Sequence, residues 1–190
     1  DYRSFVRLDM ESSAYTDRTL RLFEDRLYPN YPENVGIVLQ SALRRTEVDA
    51  RHANALRARV RLCKGAYLEP ASVAYPDKAD VDANYVRCMK VLMTEGKYPG
   101  LATHDERIID EAKRFAAEKG IGREKFEFQM LYGVRRDLQD QLVRDGYRCR
   151  VYVPFGTQWY PYLMRRLAER PANLAFITGN VMREMVGGRK

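Results

Sequence analysis

Apolar residues along this chain follow two alternating patterns, short β-branched or aromatic runs and longer stretches with apolar positions at helical spacing. Short runs bounded by Gly and Pro are typical of strands, whereas a period of three to four residues is typical of amphipathic helices. Strands are predicted at 4–9, 35–40, 59–67, 100–104, 126–131 and 150–153. Helices are predicted at 15–28, from Thr46 as a cap, at 81–94 after Asp80, at 106–118 with Asp105 as N-cap, at 135–145, and after Thr157.

The strict alternation of strand and helix indicates the fold class. Without a hairpin signal between strands, it is typical of a parallel sheet with right-handed crossovers, either open or closed as a barrel. An open sheet gathers its ligand at one switch point, whereas every strand end of a barrel faces the same mouth. Polar residues at successive strand ends therefore favour an α/β, (β/α)8 TIM-like barrel: Asp9, Gln40, Lys64, Thr103, His104, Tyr132 and Tyr152.

The length of the chain bears on the domain organisation. A complete barrel of this type has about 250 residues, whereas this chain has 190 and begins at Asp1, almost directly at a strand. Residues 1–190 are therefore expected to form one barrel domain that is incomplete at its amino end and lacks one or two strands.

The strand predicted at 59–67 carries cations where buried strands seldom do. Arg61 and Lys64 are expected to reach a ligand or an acid, because an unpaired buried charge is costly. Gly65 follows, and a glycine lets backbone N–H groups approach an anion closely. The signal is weak by itself, and neither a dinucleotide fingerprint nor a Walker loop occurs in the sequence.

Two adjacent arginines follow the last predicted strand. Arg165 and Arg166 lie about 100° apart on the predicted helix, so one of them is expected to face inward. Two guanidinium groups that converge are suited to a carboxylate or a phosphate. Tyr152, Tyr160 and Tyr162 lie nearby, a concentration of tyrosines that a solvated basic helix face would not need.

Composition limits the partners and the compartment. The net charge of +7 is spread along the chain, which tolerates an anionic ligand or an acidic membrane surface without requiring nucleic acid. Three widely spaced cysteines without zinc-ligand spacing indicate a reducing compartment and no metal site. No run is long and apolar enough to span a bilayer. A cytoplasmic location is expected, with peripheral contact at the inner membrane face as an option.

Several motifs, in order, resemble the proline dehydrogenase family: FVRLDMESS, VLQS, VRLCKGAYLEP, ATHD, FEFQMLYG, and CRVYVPFGT followed by YLMRRLAE. The resemblance covers residues 5–169 and implies a distorted (β/α)8 barrel that holds FAD non-covalently. It implies oxidation of the CH–NH bond of L-proline to Δ1-pyrroline-5-carboxylate, with hydride transfer from proline C5 to flavin N5. Electrons would then pass to a membrane quinone. The oligomeric state is left open.

The resemblance also implies roles for individual residues. Asp9 matches the family's active-site aspartate, and Arg61 matches the arginine beside the flavin. The residues that would bind the substrate are Arg165 and Arg166, through its carboxylate, and Tyr152, Tyr162 and Leu131, through its ring. The residues that would contact FAD are Met10, Gln40, Arg61, Cys63, Lys64, Gly65, Ala66, Thr103, His104 and Glu169, with the segment 63–66 using its backbone.

The sequence departs from the family pattern in places. The family's active-site lysine is expected on a strand before Phe5, Cys63 stands where an aliphatic residue is common, and Leu68 stands where some relatives have tryptophan. No aldehyde dehydrogenase domain follows, so a monofunctional enzyme is expected. Two alternatives stay open: a flavin barrel of the methylenetetrahydrofolate reductase type, which would use NADH, and a basic, non-catalytic barrel that binds an anionic partner.

Overall fold

A computed structural model describes residues 4–157 of the chain. The chain divides into two compact units, Asp1–Tyr152 and Val153–Lys190, and the fold below is that of the first unit. The helix predicted after Thr157 therefore lies outside the described residues.

Strands and helices alternate along the first unit, as predicted. The helix Ser13–Leu22 continues into a π-helical segment, Phe23–Leu27, and a single 3-10 turn, Arg123–Lys125, precedes the fifth strand. The elements are β1 (Val6–Leu8), α1 (Ser13–Leu22), β2 (Val35–Gln40), α2 (Thr46–Ala55), β3 (Arg59–Cys63), α3 (Lys78–Glu95), β4 (Gly100–Ala102), α4 (Glu106–Lys119), β5 (Glu127–Leu131), α5 (Arg136–Arg144) and β6 (Cys149–Tyr152).

The six strands form one parallel sheet, and each strand pairs with the next one in the sequence. The sheet is curled into a half-barrel, so the parallel α/β architecture is confirmed. Closure into an eight-stranded barrel stays a prediction.

The two faces of the sheet differ in chemistry because side chains alternate along a strand. In β3, Val60 and Leu62 are buried among apolar side chains, whereas Arg59, Arg61 and Cys63 are partly exposed on the opposite face. The apolar face packs against the helices, where the phenol of the buried Tyr85 in α3 donates to the carbonyl of Leu62 at 3.2 Å. The inner face of the half-barrel is therefore the polar one.

Three local predictions are corrected or confirmed by the helix ends. Thr46 does not cap α2 but is its first residue, because its hydroxyl donates to the carbonyl of Gln40 at 2.5 Å. Helix α3 begins at Lys78, earlier than predicted from Asp80. Asp105 does cap α4, since its carboxylate accepts the N–H of Arg107 at 3.2 Å.

The third strand is shorter than its sequence pattern predicts. It ends at Cys63 and not at Tyr67, and the backbone turns at Gly65 with φ of +105°. Residues 64–67, which were predicted to continue the strand, thus begin the long loop before α3.

Candidate active site

Hydrogen bonds join the ends of β2 and β3, and of β5 and β6, at the edge formed by the carboxyl ends of the strands, which we call the rim. The N–H of Ser41 after β2 donates to the carbonyl of Cys63 at 2.8 Å, and that of Tyr132 after β5 donates to the carbonyl of Tyr152 at 2.9 Å. The structure therefore brings the predicted strand-end residues to one end of the half-barrel, as the ends of parallel strands require.

Gln40 fixes the loop that follows β1. Its side-chain amide nitrogen donates to the carbonyls of Met10 at 3.0 Å and Glu11 at 2.9 Å, and the side chain is buried. The N–H of Met10 donates in turn to a carboxylate oxygen of Asp9 at 3.0 Å. Asp9 is held by the backbone while its side chain, 62% exposed, remains open to the mouth.

Arg61 lies at the centre of the inner face. Its guanidinium donates through Nε to the side-chain carbonyl of Gln129 at 2.9 Å and lies 3.5 Å from a carboxylate oxygen of Asp9. Its Cζ lies 5.9 Å from the centre of the Tyr152 ring. The arginine that the sequence singled out is therefore next to Asp9 and Tyr152.

Lys64 reaches acids, which is one of the two outcomes predicted for it. Its Nζ lies 2.5 Å from Oδ1 of Asp82 and 2.8 Å from Oδ2 of Asp105. Burial acts to raise the pKa of both carboxyls, but hydrogen bonds and charge from Lys64, together with Lys78, outweigh it and lower each pKa below its usual value. The ammonium of Lys64 is thus paired with two acids, and the backbone of 63–66 is left for a ligand.

Gly65 occupies a position that other residues would fill badly. Its φ of +105° is rarely adopted by L residues, and a Cβ there would lie 3.0 Å from Oε1 of Gln40 and 3.2 Å from the Cβ of Ala42. Gly65 and Ala66 are exposed at the rim, so their backbone is accessible.

The ends of β4 and β5 are joined through His104. The N–H of Leu131 donates to Nε2 of His104 at 2.9 Å, so this nitrogen carries no proton in that arrangement. Thr103 is buried, and its hydroxyl accepts the N–H of Asp105 at 3.1 Å. The side-chain amide of Gln139 donates to the carbonyl of Leu131 at 3.0 Å. Leu131 is therefore fixed through both of its peptide groups.

Several inner-face residues were not recognised as site residues from the sequence. The buried Glu127 accepts hydrogen bonds from Nε and Nη2 of Arg150, at 2.6 and 2.9 Å. Burial acts to raise the pKa of Glu127, but hydrogen bonds from Arg150 and Gln129 outweigh it and lower the pKa. Burial lowers the pKa of Arg7 to about 10. The alternation of Glu127 and Gln129 with apolar residues in β5 was the signal that could have found them.

Four predicted site residues, Tyr162, Arg165, Arg166 and Glu169, lie outside the described residues.

Between residues 4 and 157, no cluster of three or more His, Cys, Asp or Glu side chains is arranged to hold a metal ion. No helix in that same part of the chain is long and apolar enough to cross a membrane.

Fold and site together define a class, the α/β proteins whose parallel strands curl around a polar inner face and end in a polar mouth. A family model described as proline dehydrogenase matches residues 1–179 of the chain. The chain belongs to the proline dehydrogenase family.

Individual relatives agree with this assignment. The chain is 52% identical over 183 residues to the proline dehydrogenase of Deinococcus radiodurans, covering 96% of this chain and 59% of that protein. It is 47% identical over 175 residues to proline dehydrogenase 2 of Bacillus subtilis strain 168, covering 92% of this chain and 57% of that protein. The chain therefore spans somewhat more than half the length of these relatives.

A solved structure supports the fold. The chain resembles proline utilization A from Bdellovibrio bacteriovorus, inactivated by N-propargylglycine, with a TM-score of 0.80 and 33% identity. The likeness covers 86% of this chain and 19% of that one.

Proposed function

We propose that the protein containing this chain is an FAD-dependent dehydrogenase that oxidises L-proline to Δ1-pyrroline-5-carboxylate, the first step of proline degradation, and passes the electrons to a quinone. The family assignment and the identity of 52% support the reaction. The observation that carries the proposal is the position of Arg61, a largely buried cation between Asp9 and Gln129 at the mouth.

The rim fits an extended anionic cofactor such as FAD. Gly65 keeps the loop after β3 close to Gln40, because a Cβ at Gly65 would press on the Gln40 amide, and the exposed Gly65 and Ala66 backbone is open to a phosphate. The residues proposed to hold the cofactor are Met10, Gln40, Arg61, the backbone of 63–66, Thr103 and His104, with Glu169. FAD, when bound, would supply the hydride acceptor that no side chain provides.

Arg61 and Asp9 are proposed to work as a charged pair at the reacting centre. A cation held in a partly buried site favours negative charge that develops next to it, because little solvent has to reorganise. Asp9 lies 3.5 Å away and is more exposed, so it leaves most of the Arg61 charge directed at the mouth. Arg61 would thereby favour the negative charge that the flavin ring gains on reduction.

Substrate orientation is proposed to come from a second group of residues. Leu131 and the Tyr152 ring, with Tyr162, would contact the pyrrolidine ring, and Arg165 and Arg166 would bind its carboxylate bidentately. Holding the ring in one orientation is expected to give much of the rate enhancement, since hydride transfer depends on alignment. Electron transfer to a quinone, at a peripheral membrane contact, completes the proposal.

The test is an anaerobic titration of the purified full-length protein. A yellow protein whose flavin absorbance bleaches on addition of L-proline, and not of D-proline, is the expected result. A protein that stays colourless after incubation with FAD would overturn the proposal. Bleaching by NADH without proline would instead favour the methylenetetrahydrofolate reductase type.

A further inference from the structure

Three side chains on the inner face form a hydrogen-bonded series that ends at Arg61. The side-chain nitrogen of Gln129 donates to Oε1 of Glu127 at 2.6 Å, and its side-chain oxygen accepts Nε–H of Arg61 at 2.9 Å. Gln129 and Glu127 lie two residues apart in β5, so they share one face of the sheet. Residues of β5 therefore act on a residue of β3, across β4.

The orientation of the Gln129 amide is determined by its two partners. Glu127 accepts hydrogen bonds from Arg150 and, at 3.1 Å, from the hydroxyl of Tyr98, which holds it as a carboxylate that can only accept. The amide nitrogen must then face Glu127, and the carbonyl must face Arg61. A flipped amide would oppose an acceptor to an acceptor and a donor to a donor.

Space for this bridge is provided by Gly100 in β4. Gly100 pairs with Arg61 on one side and with Glu127 on the other. A Cβ on Gly100 would lie 2.5 Å from Nε2 and 3.0 Å from Cδ of Gln129. The Gln129 side chain therefore lies directly over a residue that has no side chain of its own.

We propose that Gln129 is a positioning residue that orients the Arg61 guanidinium without cancelling its charge. An amide carbonyl accepts the Nε–H as a carboxylate would, but it adds no negative charge beside the cation. Glu127, which is charged, is kept one hydrogen bond further away and is paired with Arg150. Gln129 thus fixes the position of the Arg61 guanidinium, while the negative charge of Glu127 is kept away from it.

The consequence for chemistry rests on the proposed function, because it concerns the flavin next to Arg61. An oriented cation whose nearby acid, Asp9, is exposed to solvent would stabilise the reduced ring and raise its midpoint potential. A carboxylate in place of the amide would still accept the Nε–H of Arg61, but it would add a negative charge beside the cation and would oppose the Glu127 carboxylate. An apolar side chain would release the guanidinium.

The experiment compares Gln129→Leu, Gln129→Glu and Gly100→Ala in the full-length protein, with and without FAD. Gly100→Ala is expected to fold, because the atom it meets is the end of a flexible side chain. Asn54→Leu is the matched control, since it removes a buried amide that donates to Val91 on the helical side. The first readout, which needs no flavin, is exchange of the Arg61 Nε–H by NMR. The second is the midpoint potential of the bound flavin at pH 8.

Exchange of the Arg61 Nε–H is expected to accelerate at least about tenfold in Gln129→Leu and Gly100→Ala, and to keep its wild-type rate in Asn54→Leu. The potential is expected to fall in Gln129→Leu and further in Gln129→Glu. Unchanged exchange in both Gln129→Leu and Gly100→Ala would overturn the positioning role. A wild-type potential in Gln129→Glu would overturn the charge argument. A protein that binds no FAD refutes the proposed function, while the exchange result still decides the role of Gln129.

Discussion

The ammonium of Lys64 lies 2.8 Å from a carboxylate oxygen of Asp105, the residue that caps α4. It also lies 2.5 Å from Asp82 in the first turns of α3. One side chain therefore fastens the loop after β3 to the starts of two helices. The Lys64 side chain therefore has a structural role, which is to hold the neighbouring backbone in place at the rim.

Lys64→Met is expected to lower the free energy of unfolding by about 2–4 kcal/mol, because two partly buried carboxylates lose their buried cation and keep only the exposed Lys78. Denaturant unfolding at pH 7 measures the change. Lys119→Met, an exposed lysine at the end of α4, is the control and should shift the free energy by no more than about 0.5 kcal/mol. Equal effects from the two variants would contradict the structural role of Lys64.

The same ion pairs predict a pH dependence. The pKa values of Asp82 and Asp105 are lower in the folded protein than in the unfolded chain, where an aspartate carboxyl has a pKa of about 3.9. The ionised forms thus stabilise the fold above that pH, and the contribution is lost as the pH falls through the folded values. Lys64→Met should show a smaller loss of stability between pH 6 and pH 3 than wild type, on the order of a few kcal/mol less. An identical loss in both proteins would refute the linkage.

His104→Leu is expected to leave the N–H of Leu131 without its acceptor and to cost about 1–3 kcal/mol of unfolding free energy. The end of β5 should also loosen, so the KM for proline is expected to rise. Thermal unfolding and steady-state kinetics check both effects. His52→Leu, at the exposed histidine of α2, serves as the control, and a KM as high in this control as in His104→Leu would argue against the link to Leu131.

Gly65→Ala tests the rim backbone. The new side chain would have to accept a φ of +105° and press on Gln40, so a loss of about 1–3 kcal/mol in stability is expected. Affinity for FAD should fall together with stability, measured by flavin fluorescence on titration. Gly120→Ala, at the C-cap of α4, has a positive φ but meets no atom within 4 Å, so it should lose stability and keep its FAD affinity.

Arg165→Met and Arg166→Met should each raise the KM for proline by about tenfold to a thousandfold, since a charge-assisted, bidentate contact to the carboxylate is lost. The flavin should stay bound, as its absorbance after gel filtration would show. Arg144→Met, on the exposed surface of α5, is the control with an equal loss of charge. A wild-type KM in both variants would refute the substrate-binding role.

Much of the fold could be predicted because its signals are local. Most strands appeared as short runs rich in apolar residues, and the third appeared as an alternation of charged and apolar residues. Asp105 was recognised as a cap because it directly precedes a stretch with helical period. Thr46 was misassigned because a threonine before a helix resembles a cap, while its hydroxyl is directed back to the carbonyl of Gln40. The local sequence pattern shows where a hydroxyl group occurs, but it does not show which backbone carbonyl lies nearest to it in the folded chain.

The site could be predicted only in outline. Strand ends gave the rim, since parallel strands place their carboxyl ends together. The partners of those residues come from distant segments: Lys64 meets Asp105 across 41 residues, and Arg61 meets Gln129 across 68. No local period carries such pairs, so the bridge from Glu127 to Arg61 could be seen only in three dimensions.

The strands of the sheet lie in sequence order, β1 to β6, and this order affects how the chain acquires its structure. Every strand pairs with the strand one helix earlier in the sequence, so each closure spans a single helix with its two loops, and pairing can proceed from the first strand onward. A chain emerging from the ribosome could add one strand and helix at a time to an existing edge. In this order of folding, Arg61 in β3 gains its hydrogen bond to the Gln129 amide only when β5 has been added. The rim is then completed last.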